Sequence, residues 1–187
     1  RSLDMSIGSI LVLSGVITVM LVNQVGIPLA IIIGTLSGIP MGLLNGVLVT
    51  KLKINSFIAT LGTMVIFQGI AFSLTKMKPI SSRNPFFQKF ATYEIFSDFP
   101  IVILYFILII GLIWFIASYT RLGKYAYAIG GNSEACRVMG IRVDYYSNIF
   151  FMISGLFASF AGVLLASKID AASAVFGENV SLQVIAG

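Results

Sequence analysis

The chain has 187 residues, 58% of them hydrophobic and 10% charged, with a formal net charge of +5, no histidine and a single cysteine; its mean hydropathy is +1.00. Soluble domains run nearer about 45–50% apolar and 25% charged, so this composition excludes a water-soluble globular fold and calls for lipid as the solvent. Without histidine there are no imidazole zinc, haem or acid–base sites, and Cys136 alone rules out an intramolecular disulfide or a cysteine metal cluster.

Five segments meet the rough requirement of ~17–25 mostly apolar residues for a membrane-crossing helix. They are residues 5–22, 27–49, 57–74, 101–117 and 148–167, all essentially uncharged inside. The expected fold class is all-α: a polytopic transmembrane bundle of about five spanning helices plus the start of a sixth, forming one membrane domain over 1–187. That sixth start is "SLQVIAG" at 181–187. Together with Arg1 in place of methionine and no signal-peptide pattern, it makes the chain read as a piece of a longer protein.

Asp4, in "SLDMSIGS", stands just ahead of the first segment, where an N-cap role is favoured over substrate contact. A tight turn is expected at 23–26. In the second segment Gly34, Gly38, Gly42 and Gly46 recur every four residues and make one stripe without side chains along a helix. Helices in lipid gain packing contacts through such stripes, so this segment is expected to be central and gripped by its neighbours, with a kink at Pro40. The fifth segment repeats the pattern with Gly155, Ala158, Ser159 and Gly162. Tight packing is the favoured meaning; a pathway-lining element marked by Pro40 and Asn45 is the other.

Thr60, Thr63 and Phe67 share a face of the third segment, with Gln68 on its edge. Hydroxyls and an aromatic face suit a sugar, and interhelical hydrogen bonding suits them as well; packing is again favoured, for Asn45 as for these. The connection 75–100 mixes cations, aromatics and prolines. A solvated connector is expected there, a docking platform for an external protein being the alternative, with Phe86, Phe87 and Phe90 also suited to the headgroup layer.

In the connection 118–147, Gly130 and Gly131 end whatever precedes them. Asn132 or Ser133 then offers an N-cap, Glu134 favours the positive end of a helix dipole, Arg137 the negative end, and Gly140 a C-cap. A helix of about two turns over 132–140 is expected, too short to stand alone in water. Ala135, Val138 and Met139 would face a partner while Arg137 and Arg142 grip it.

Alternation of the spans puts Arg1, Lys51, Lys53, Arg121, Lys124, Arg137 and Arg142 on one side, seven cations. Lys76, Lys78, Arg83, Lys89 and Lys168, five, fall on the other. The excess makes the first side cytoplasmic, so 118–147 is a cytoplasmic loop and 75–100 an extracytoplasmic one. No basic stripe interleaved with aromatics marks a nucleic-acid surface.

Three stretches carry a resemblance: "SLDMSIGS", "GLLNGVLVTKLKINSFIATLGTMVIFQGIAFSLT" at 42–75, and "TRLGKYAYAIGGNSEACRVMGI" at 120–141. With "FFMISGLFASFAGVLLASKIDAASAVFGENVSLQVIAG" after them, they resemble the membrane-spanning permeases of ribose-type ABC sugar importers, kin to those for autoinducer-2. The resemblance implies a multi-pass protein of the bacterial inner membrane that passes a monosaccharide and is no enzyme itself. It further implies a second permease copy, an extracytoplasmic sugar-binding protein and a cytoplasmic ATPase that binds ATP and magnesium, none of these cofactors being held by this chain. The 132–140 helix would be the coupling helix docked on that ATPase, with Asn132, Glu134, Ala135, Arg137, Gly140 and Ile141 at the family's positions. Cys136, Met139 and Asn55 depart from the usual alanine, serine and proline. The missing G-x-x-x-x-G-K-[ST] agrees with ATP binding in another chain. An ion-coupled transporter or channel is the alternative, and it lacks the buried charges such proteins use. An intramembrane enzyme lacks a Ser–Lys or paired-carboxylate site.

Overall fold

The computed structural model of the chain describes residues 3–94 and 99–173. Among the described residues five helices are long and apolar enough to cross a membrane. They are α1 (Ile7–Val25), a broken span made of α2 (Ile27–Leu36) and α3 (Gly38–Thr50), α4 (Ser56–Thr75), α6 (Ile101–Tyr119) and α9 (Val143–Ile169). Around them lie β1 (Ile80–Ser81), α5 (Pro85–Thr92), α7 (Arg121–Gly131), α8 (Ser133–Val138) and β2 (Ala171–Ala172). The protein is thus the all-α polytopic bundle that its composition demands. Arg1 and the expected sixth start at 181–187 lie outside the described residues.

Helix α1 continues through Val25, so the connection expected at 23–26 shrinks to Gly26 alone. Its φ of +84° belongs to a region that glycine enters without steric cost, and Pro28 presets the first turn of α2. Asp4 is not the N-cap of α1. Ser6 is, and the Asp4 carboxylate instead accepts the Ser6 backbone N–H two residues on, a local turn of the kind short acidic side chains make.

The expected kink appears as the break at Ser37 between α2 and α3. Pro40 has no N–H to give the Leu36 carbonyl four residues back, and Ser37 keeps helical dihedrals of −60° and −23°, so α2 and α3 remain one span. Hydroxyls serve nearby carbonyls: Ser37 Oγ donates to Gly34 O at 2.6 Å and Ser159 Oγ to Thr35 O at 2.5 Å.

The most enclosed span is α1, not the glycine-striped second span. Small residues lie all round α1, including Gly8, Ser9, Ser14, Gly15 and Thr18, all buried. Helices α2, α4 and α9 therefore approach it from several directions. The α2–α3 glycines form a single stripe; Ala30 and Asn45 are buried beside it, while Ile32, Leu36 and Leu44 face outward. Helix α6 has no buried residue; apolar all round, it belongs in lipid.

On the far side of the bundle, residues 76–94 of the connection 75–100 are mostly exposed, as a solvated connector would be, and they also carry β1 and α5. Asn84 Oδ1 accepts the Phe86 N–H and Pro85 opens α5, whose Phe87 and Ala91 are buried against the bundle. Ser167 Oγ on α9 donates to Phe87 O at 2.7 Å. Strands β1 and β2 pair antiparallel, Ile80 opposite Ala172. Asp170, at the C-cap of α9, accepts from Ser81 and Ser82. Phe87 is thus a core residue, Phe86 is exposed, and the Phe90 ring rests 5.3 Å from that of Tyr105.

Candidate functional site

The loop between α6 and α9 is built from two helices. Thr120 Oγ1 accepts the Gly123 N–H and starts α7, a helix absent from the sequence expectation. Gly123 sits so close to the Ala117 carbonyl that no side chain fits there. Asn132 Oδ1 accepts the Ala135 N–H at 3.0 Å and starts α8. The far end closes with two bonds, Gly140 N–H to Arg137 O and Ile141 N–H to Cys136 O, each 3.0 Å. That double bond pattern requires a left-handed residue at its centre, and Gly140 supplies it with φ +80°.

Cys136 points inward and is 2% exposed, whereas Val138 and Met139 are 88% and 68% exposed. Glu134, Ala135, Arg137 and Gly140 are exposed as well, and Ile141 is half-buried. Arg137 is already engaged within the chain: Nη2 lies 2.6 Å from Asp144 Oδ1 and Nε 4.0 Å from Glu134 Oε1. Arg142 is exposed and forms no salt bridge among the described residues. The result is a short helix pinned at both ends, presenting apolar side chains outward.

Inside the bundle, a run of hydrogen bonds joins three spans at the end that bears this loop. Ser6 Oγ donates to Asp4 Oδ1 at 2.7 Å, Asn45 Nδ2 to Ser6 Oγ at 2.6 Å, and Thr63 Oγ1 to Asn45 Oδ1 at 2.6 Å. Thr60 Oγ1 accepts the Met5 N–H at 3.0 Å and donates to Ser56 O at 2.8 Å. Asn45, Thr60 and Thr63 are all buried, and Phe67 joins the hydrophobic core around α1. Gln68 is half-buried beside them and has an interaction partner.

The two glycine stripes meet. A side chain at Gly38 would collide with Gly155 O, one at Gly42 with Phe151 O, and one at Gly46 with Asn148. Farther along, Gly34 abuts Thr18, and Gly162 abuts Leu11 O and Ser14. Helix α9 is therefore clamped by α3 along one half and by α1 along the other. Thr50 Oγ1 adds a bond to Asn148 Oδ1 at 3.0 Å. Among the described residues no group of three His, Cys, Asp or Glu is placed to hold a metal ion.

The family profile described as "Branched-chain amino acid transport system / permease component" matches residues 1–186. The chain belongs to that family. It is a multi-pass membrane protein of the permease type. It is similar to the ribose import permease protein RbsC of Bacillus subtilis (strain 168), 36% identical over 187 residues that cover 98% of this chain and 58% of the relative. The D-allose transport system permease protein AlsC of Escherichia coli (strain K12) is 32% identical, covering 98% of this chain and 57% of its own length. The autoinducer 2 import system permease protein LsrC of Photorhabdus luminescens is 33% identical, covering 100% of this chain and 56% of the relative. The chain thus spans somewhat over half the length of these curated permeases. No solved structure matches it.

Several residues that organise this permease bundle lie outside the sequence expectation: Ser6, Asp144 and Asn148. Asp144 and Asn148 are neighbours on one helix face, four apart, opposite Arg137 and Thr50. The signal for Asp144 was present, since acids favour a helix's first turn and "RVDYY" follows the Gly140 stop.

Proposed function

We propose that this chain is part of the permease subunit of an ATP-driven importer for a small polyhydroxylated solute, a monosaccharide or a compound of that class, in a bacterial inner membrane. The energy comes from ATP and magnesium in a separate ATPase subunit that docks on α8. The permease works beside a second permease copy and receives its solute from an extracytoplasmic binding protein. It performs no catalysis of its own.

The observation that carries the reading is α8: a helix of 6 residues, capped at both ends and anchored by Cys136, with Val138 and Met139 turned outward. A helix that short is stable only when held, and its exposed apolar side chains want a partner surface. The names of the relatives support the solute class. Ion coupling is disfavoured because Asp, Glu, Lys and Arg are absent from the spans between their end turns.

The test uses Val138→Cys in a Cys136→Ala background of the full-length protein. A membrane-impermeant maleimide should label it in inside-out vesicles and not in intact cells, and added ATPase subunit should suppress the labelling. Labelling from outside the cell, or labelling indifferent to the ATPase, would overturn the docking role.

A further inference from the structure

Helices α6 and α9 meet where the Tyr105 and Phe160 rings lie 6.0 Å apart, edge to face. Toward the α7 end a crevice of about 300 Å³ opens between them. Ile113 and Ile116 of α6 form one wall, Ile153 and Phe157 of α9 the other, and Leu122 and Ala126 of α7 roof it. Ser154 is the one polar side chain on its lining. The roof is held in place, because Gly123 sits directly against the Ala117 carbonyl and folds α7 back onto the end of α6.

The membrane–water boundary on this side falls at the last turn of α6. Trp114 and Phe115 both pack on Tyr119, with ring centroids 5.4 and 5.6 Å away, and Trp and Tyr concentrate where hydrocarbon meets water. Ile116 and Ile113 lie about 4.5 and 9 Å deeper than Tyr119 at 1.5 Å per residue. The crevice is therefore at the depth of acyl chains, and its hydrocarbon lining gives a polar solute almost nothing to bond. At the boundary itself, Arg121 and Lys124 are exposed and form no ion pair among the described residues. Residues 118–133 contain no acid to offset them.

We infer that the crevice holds an acyl chain of an anionic phospholipid from the leaflet on the α8 side, with the lipid phosphate against Arg121 and Lys124. Size argues against a protein occupant. One turn of helix, about 10 Å across and 5.4 Å tall, fills roughly 400 Å³, more than the whole crevice. A helix could enter only by driving α6 away from α9, whereas an acyl chain is slimmer and already bathes α6, which has no buried residue. Charge selects the headgroup. Cations at the membrane surface attract anionic lipids, and an arginine fork pairs well with phosphate oxygens.

A chain lodged here fills the gap that side chains leave between α6 and α9 and supports Leu122 and Ala126 from the membrane side. Helix α7 runs directly into Asn132, the N-cap of α8, so the lipid also steadies the support from which α8 hangs. This site needs neither the solute nor the ATPase to be occupied.

The experiment places the full-length permease in phosphatidylcholine nanodiscs with a trace of phosphatidylglycerol that carries a diazirine midway along one acyl chain. After illumination, peptide mass spectrometry locates the adducts. They should concentrate on residues 113–117 and 153–157, severalfold above the outward face of α4 at Ile58 and Ile66, both exposed. A phosphatidylcholine with the same diazirine should label α4 equally and the crevice less by at least about fivefold, the factor that one surface cation supplies. Ala126→Trp, which fills the crevice, should remove its adducts and leave those on α4 unchanged; if that variant does not fold, Ser154→Phe takes its place. Arg121→Gln with Lys124→Gln should bring the two lipids to parity in the crevice. Equal crevice labelling by both lipids in the unsubstituted protein means ordinary surrounding lipid and overturns the inference. Crevice adducts that survive the filling substitution overturn the site, and a preference that survives the double glutamine variant overturns the headgroup contact. Labelling of α4 with none in the crevice overturns the inference in favour of a protein cover, such as a second permease copy.

Discussion

Gly38 and Gly155 face each other across the α3–α9 contact so closely that a Cβ on either would fall on the other's carbonyl oxygen. Neither obstacle is the tip of a flexible side chain, so a substitution can be relieved only by moving a helix. Gly38→Ala and Gly155→Ala should each destabilise the bundle by about 1–3 kcal/mol, the usual range for overpacking, and the pair should cost less than the sum because one separation accommodates both. Gly62→Ala and Gly69→Ala on α4, where no atom stands within 4 Å of the new methyl, should be neutral or slightly stabilising. Thermal unfolding of the purified permease in detergent measures all of these.

Asn45 satisfies both ends of its amide, donating to Ser6 and accepting from Thr63. Asn45→Leu should leave Thr63 without that acceptor and Ser6 without that donor. Interhelical bonds in membranes couple by about 0.6 kcal/mol on average and at most about 1.7, so an Asn45→Ala, Thr63→Val double-mutant cycle should return a value in that interval. Because Asn45 also links through Ser6 to Asp4, a coupling energy near zero would mean that the Asp4–Ser6–Asn45–Thr63 run does not act as one unit.

The spans were legible because a membrane helix needs only length and apolarity, and the stripes because every fourth residue of a helix shares a face. The ends were less so. Helix α9 extends to 27 residues, roughly 40 Å at 1.5 Å per residue, because a helix continues past the hydrocarbon into polar residues that a hydropathy window ignores. Helix α7 was missed because Gly123, Gly130 and Gly131 depress helix propensity, although Leu122, Ala126 and Ile129 keep a helical spacing. Helix α5 carried its own signature, Asn84 then Pro85 at the first helical position. The β1–β2 pair, joining residues 80–81 to 171–172, had no local signal, since two-residue strands are made by the folding of everything between them.

Arg137 was expected to grip a partner, yet it lies 2.6 Å from Asp144 at the start of α9. Both side chains are about half exposed, so the pair contributes at most about 1 kcal/mol to stability and matters more for fixing the direction of α8. Arg137→Glu should weaken ATPase association while membrane insertion stays normal. The charge exchange Arg137→Glu with Asp144→Arg separates two roles: recovery of association identifies the arginine as a positioning residue within the loop, and continued weakness identifies direct contact with the partner. Pull-down of the ATPase subunit by the tagged permease gives the comparison.

Val138 and Met139 offer the most exposed apolar surface of the α8 region. Because neither supports the fold from within, Val138→Ser and Met139→Ser should leave the unfolding temperature of the isolated permease unchanged. Interface anchors that fill a partner's pocket cost more than about 1 kcal/mol when truncated, which is fivefold or more in affinity, so at least one of the two should weaken ATPase binding by that factor. Cys136→Ser should behave in the opposite way. Its thiol is buried, and a hydroxyl there must find a partner or bear the loss, so the permease should lose stability first and ATPase affinity only as a consequence. If Val138→Ser and Met139→Ser bind the ATPase as tightly as the unsubstituted chain, the outward face of α8 is not the docking surface, and the cavities beside it, lined by Tyr125 and Arg142 on one flank and by Lys53 and Glu134 on the other, are where contact should be sought.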